Sequence, residues 1–91
     1  VDELYNLRTK IDIVDQNLLQ ILGERMKISD SIGKLKKKNN VAVLQNKRWN
    51  EILGKMVLDG ENQGLSEEFV LKLFKAIHQE SINHQEKVIV K

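Results

Sequence analysis

"LYNLRTKIDIVDQNLLQILGERMKISDSIGKLK", residues 4–36, places apolar side chains at Leu4, Leu7, Ile11, Val14, Leu18, Ile21, Ile28, Ile32 and Leu35. Steps of three and four residues are the mark of a helix seam. They predict one helix over the whole stretch, about 50 Å long at ~1.5 Å per residue. One seam position breaks the pattern, and it holds Arg25. A buried guanidinium without a partner is strongly disfavoured, so something anionic must meet it. Either a carboxylate of the chain does so, with Glu24, Asp30 and Glu80 as candidates, or a ligand does. Gly23 and Gly33 lie inside the same helix. Each costs ~1 kcal/mol relative to alanine, and such glycines often mark close approach by another element.

The rest of the chain reads as two more helices. Asn39 and Asn40 suit a left-handed stop. "VAVL", Val41–Leu44, is expected to be a connector that buries its side chains. A short helix follows from Gln45 to Leu58, with Ile52, Leu53, Met56 and Val57 on its apolar face. "DGENQG", Asp59–Gly64, is expected to be a loop from its glycines. Ser66 caps a third helix, with Glu67 and Glu68 in its first turn. That helix carries Val70, Leu73, Phe74 and Ile77 and runs to about Lys87. The fold class is therefore all-α: three helices, very long, short and long, in one domain over residues 1–91. Two shorter helices cannot cover a 50 Å seam, and a wet apolar stripe favours oligomerisation. The expected assembly is an intertwined homodimeric helical bundle.

Composition narrows the function classes. The chain of 91 residues has no cysteine, which excludes disulfides and thiolate metal sites and fits a reducing compartment. No apolar run nears the ~20 residues of a membrane span, and no signal-peptide pattern is present, so a cytoplasmic location is expected. Net charge is +2. The basic run at Lys34 and Lys36–Lys38 is short and suits a solvated helix end, so neither nucleic acid nor membrane is an expected partner. A start at Val1 fits a domain cut from a longer protein.

Several polar residues stand where the apolar patterns would continue. On the third helix Ser81 and Gln85 are one turn apart on one face. They are either a helix end that has left the core or two hydrogen-bonding groups facing the cavity of Arg25. Lys36 follows Arg25 by eleven residues, close to three whole turns, so both point to one side about 16 Å apart along the axis. Arg48, early in the second helix, can close the same site. Arg8 lies ~25 Å from Arg25 along the helix and cannot reach that site from its own chain, whereas Arg8 of a partner in an antiparallel dimer can. His78 and His84, six residues apart, fall on different faces and are expected at the surface. Arg8, Arg25, Lys36, Arg48, Ser81 and Gln85 together form a set of donors and cations. Such a set suits a compact dicarboxylate, acted on by electrostatics and positioning rather than by covalent chemistry.

These residues resemble the all-helical chorismate mutases over nearly the whole chain. Leu7-Arg8 to Asp15 matches L-R-x-x-I-x-x-x-D. Leu18 to Arg25 is similar to L-L-x-L-x-x-E-R, with Ile21 at the third leucine, and Ile32 to Lys36 matches I-G-x-x-K. "LFKAIHQESINHQ", Leu73–Gln85, places the family's serine and glutamine on Ser81 and Gln85. The second-helix arginine falls on Arg48, but the usual D-x-x-R-E reads "QNKRW", with Gln45 and Trp49 replacing two acids that usually help hold the substrate's ring hydroxyl. The resemblance implies rearrangement of chorismate to prephenate in aromatic amino acid biosynthesis, without a cofactor. It implies that Arg25, Arg48 and the partner subunit's Arg8 grip two carboxylates, that Lys36 and Gln85 serve the ether oxygen, and that Ser81 and Gln45 bind substrate. The likeness looks closest to mutase domains fused to DAHP synthase. Two other readings stay open: an isochorismate–pyruvate lyase, which also lacks the acid at Trp49, and a weakly active domain that senses chorismate or prephenate.

Overall fold

The computed structural model describes residues 2–90 and holds three helices: α1, Glu3–Asn39; α2, Asn46–Asn62; and α3, Glu67–Val90. Helix α1 begins where the Asp2 carboxylate accepts the Leu4 N–H at 3.0 Å. That bond satisfies one of the donors that a helix start leaves orphaned. It ends where Asn40 turns left-handed, with φ 55°, after a last turn carrying Lys36, Lys37 and Lys38. Lysines there complement the negative end of the helix dipole. Among the described residues there is no strand, and Val88–Val90 complete α3.

Two expectations are corrected. The stretch Asp59–Asn62 is helical, so α2 runs four residues beyond Leu58. Gly60 is buried against α3, where an added Cβ would lie 2.6 Å from Val70 Cγ2. The glycine therefore serves close packing inside a helix rather than a turn. The reversal comes at Gly64, with φ 78°, and the Leu65 N–H closes it on the Gly60 carbonyl at 2.9 Å. Ser66 then caps α3 through the Phe69 N–H at 3.2 Å. In the connector Val43 is half-buried, but Val41 and Leu44 are exposed within the chain.

Helix α3 packs against both α1 and α2. The face that α1 gives to α3 is Met26, Ser29 and Gly33, not the heptad seam. At Gly33 the two backbones meet so closely that a Cβ would sit 2.8 Å from Gln85 Cα. The seam itself has no cover within the chain: Ile11 is 59 %, Val14 62 % and Ile21 60 % exposed. Every residue from Asp2 to Ile21 is exposed, so half of α1 projects beyond the other helices, and the whole measures 58 × 27 × 14 Å.

Candidate active site

The most buried polar groups of the chain, Ser29, Ser81 and Gln85, lie along the α1–α3 contact beside Gly33. Ser81 and Gln85 are thus inside the packing, not on a helix end that has left it. The two serine hydroxyls are 2.5 Å apart, and the Gln85 amide donates to Ser81 Oγ at 3.4 Å. The Lys36 ammonium donates to the Val43 carbonyl at 2.7 Å and to Gln85 Oε1 at 2.8 Å. Because lysine only donates, it must face the oxygen of the Gln85 amide, and this fixes which way that amide points. Lys36 keeps a third N–H and Gln85 a second one.

Both remaining donors belong to residues lining a cavity of about 450 Å³. Arg25, Ile28, Ser29, Ile32 and Lys36 line it from α1, and Val43 and Gln45 from the connector. Helix α2 adds Arg48, Trp49 and Ile52, and α3 adds His78, Ser81, Ile82 and Gln85. Three cations, Arg25, Lys36 and Arg48, and no carboxylate are among these residues. Arg25 Nη1 is buried and has no hydrogen-bond partner among the described residues. Among the described residues no carboxylate pairs with it: Asp30 accepts from His84 at 2.8 Å, and Glu80 lies 3.8 Å from the same ring. Burial and the nearby Arg48 hold the Arg25 guanidinium below its ordinary pKa. Burial likewise lowers that of Lys36. A cavity that desolvates cations without pairing them is built to receive negative charge.

Six residues singled out from the sequence, Arg25, Lys36, Gln45, Arg48, Ser81 and Gln85, line this one cavity. Arg8 is exposed and does not line it. Both histidines depart from their expected place at the surface. His84 is half-buried on Asp30, and His78 is half-buried in the cavity wall. There its ring stacks on the Trp49 indole, centroids 3.8 Å apart and planes inclined by 11°. Burial and the charges of Arg25 and Lys36 lower the His78 pKa. Ser29 was also missed, although it stands one turn after Arg25 and two turns before Lys36 on the same side of α1, which is a signal present in the sequence. The Trp49–His78 stack has no such signal, because it forms between two helices.

Fold and site together define an all-helical domain with a pocket lined by three cations and no carboxylate. A family profile described as "Chorismate mutase type II" matches residues 7–86, and the chain belongs to that family. It is 33 % identical over 88 residues to a bifunctional chorismate mutase/prephenate dehydratase of Buchnera aphidicola subsp. Baizongia pistaciae, spanning 97 % of this chain and 24 % of that protein. A protein of the same name from Aquifex aeolicus is 30 % identical over 93 residues, covering 99 % of this chain and 26 % of the relative. The Escherichia coli K12 protein of that name is 28 % identical over 86 residues, covering 94 % of this chain and 22 % of the relative. The chain thus spans about a quarter of the length of these curated relatives. Their names pair the mutase with prephenate dehydratase, which corrects the expected likeness to DAHP synthase fusions. No described helix is long and apolar enough to cross a membrane.

Proposed function

We propose that this domain rearranges chorismate to prephenate in a cavity completed by a second copy of the chain. The observation that carries the reading is the buried, unpaired Arg25 Nη1 in a cavity with three cations and no carboxylate. Chorismate is a compact dicarboxylate whose enolpyruvyl side chain must fold over its ring to react. Arg25 and Arg48 hold one end of that folded shape through its carboxylates, and pre-paid orientation of this kind lowers the barrier. As the ether C–O bond breaks, a carbon–carbon bond forms between the side-chain methylene and the ring carbon bearing the carboxylate. Six electrons shift in one ring, no proton moves, and no bond to the protein forms.

Negative charge grows on the ether oxygen during this step. Lys36 and Gln85, bonded to one another, both line the cavity, and each keeps a free N–H to offer that oxygen. Donors fixed before reaction, in a partly desolvated site, favour the transition state over the substrate. Gln85 is neutral at every ordinary pH, so its donation does not depend on a proton equilibrium.

The partner subunit supplies Arg8. Support for this comes from the seam of α1, whose apolar residues from Leu4 to Ile21 are all exposed in their own chain. An exposed stripe of this length is covered by a second copy in a two-fold arrangement, in which each chain gives the same patch. Antiparallel α1 helices then carry Arg8 of one subunit toward Arg25 of the other.

The reading is tested by supplying chorismate and isochorismate separately and identifying the products by chromatography. Prephenate from chorismate alone is the expected result. Salicylate from isochorismate would move the assignment to a lyase, which the tryptophan at position 49 would then explain. Tight chorismate binding with negligible turnover would make the domain a sensor.

A further inference from the structure

The cavity is rich in donors and poor in acceptors, and that imbalance assigns a role to His78. The argument rests on the chorismate reading, whose substrate carries one ring hydroxyl beside its two carboxylates. A hydroxyl buried without an acceptor for its proton loses the hydrogen bond that water gave it. The acceptors in the lining are few. The Val43 carbonyl and Gln85 Oε1 already accept from Lys36. The Ser29 and Ser81 hydroxyls are bonded to each other. No carboxylate lines the cavity. Those oxygens keep a second lone pair but are already held in bonds within the protein; the lining side chains whose acceptors are not so engaged are Gln45, exposed at the start of α2, and His78 through a ring nitrogen.

His78 is the better placed of the two. It is half-buried, and the Trp49 indole lies flat against it at 3.8 Å. Stacking covers a ring face and leaves both nitrogens free in the ring plane, and neither has a hydrogen-bond partner among the described residues. Partial burial, and after it the cations of Arg25 and Lys36, favour the neutral ring, which has one nitrogen lone pair to offer. We propose that His78, held in plane by Trp49, accepts the hydrogen bond of the substrate's ring hydroxyl and so sets specificity for hydroxylated over deoxy ring dicarboxylates. In this arrangement Trp49 is a positioning residue and His78 a binding one.

The test compares kcat/KM for chorismate and for an analogue in which hydrogen replaces the ring hydroxyl. A site built to accept a hydroxyl proton rejects a ligand lacking it, so the wild-type protein should favour chorismate by roughly tenfold or more. His78→Phe keeps an aromatic ring against Trp49 but removes the acceptor, and the ratio should fall toward 1. His78→Asn, which restores an acceptor, should recover part of the ratio. Trp49→Phe should keep it, while Trp49→Ala should lower it by freeing the imidazole. A wild-type ratio in His78→Phe, or in His78→Leu if the phenylalanine variant folds poorly, would overturn the proposal while leaving the mutase intact. A wild-type protein that turns over neither compound would overturn the chorismate reading itself, and this inference with it.

Discussion

Replacing Gly33 by alanine tests how tightly the site depends on one backbone contact. The new Cβ would stand 2.8 Å from Gln85 Cα and 3.1 Å from the Gln85 carbonyl oxygen. Carbon atoms rest at roughly 3.5–4.0 Å, so α3 must retreat by about 1 Å at Gln85. Neither obstacle is the far end of a flexible side chain. Overpacking of this kind costs about 1–3 kcal/mol, and alanine's better helix propensity returns up to ~1 kcal/mol. The expected net destabilisation is about 1 kcal/mol, or a Tm lower by roughly 4–8 °C for a domain of this size. The larger effect falls on turnover. Gln85 is the residue that moves, and its bond to Lys36 is the one that aims both donors. A misplacement of ~1 Å can lower kcat by ~10²-fold. Gly54→Ala is the control, because a Cβ there meets nothing within 4 Å. It should gain up to ~1 kcal/mol from propensity alone and leave turnover unchanged. Urea denaturation and steady-state kinetics on both variants decide the matter. A Gly33→Ala protein as stable and as active as Gly54→Ala would refute the reasoning.

Sharing of the site between subunits is checked by mixing Arg8→Ala and Arg25→Ala chains, each expected to be inactive alone. A 1:1 mixture that exchanges subunits makes half heterodimers with one intact site of two, so about a quarter of wild-type activity should return. Arg25→Met should raise the unfolding free energy of the ligand-free protein by about 1 kcal/mol, read as a higher urea midpoint, since it removes a half-buried, unpaired charge, while abolishing chorismate turnover. The pH dependence follows from Lys36, whose ammonium is held below the usual lysine value by burial. Turnover should fall as pH rises through that lowered value, earlier than an exposed lysine would allow. Stability should change in the opposite sense. Between the lowered value and the ordinary one the unfolded chain holds the extra proton, so folding stability rises with pH across that window. A pH–rate profile and urea midpoints at neutral and alkaline pH measure the two effects.

The three helices were legible because their signals are local. The heptad from Leu4 to Leu35, the left-handed stop at Asn40 and the cap at Ser66 each depend on neighbours in the chain. The end of α2 was not legible for the same reason. Gly60 reads as a breaker until Val70 is seen against it. The seam misleads about packing within one chain. Its large apolar residues look outward, and α1 meets α3 through Met26, Ser29 and Gly33, two of them too small to register as a core. At the site, Arg25, Lys36, Ser81 and Gln85 stood out because each interrupts or extends an apolar stripe at helical spacing. Trp49 stood out only as a departure from a motif. Its stacking on His78 depends on how the connector sets α2 over α3, and no spacing within either helix records that.

The most direct test of the account is chorismate turnover by Lys36→Ala and Gln85→Ala, measured beside the wild-type protein with subunit association verified for each. Loss of a donor aimed at developing charge should lower kcat by ~10²–10³-fold in either variant while the dimer persists. Wild-type turnover in either one would contradict the claim that these two side chains stabilise the breaking ether bond.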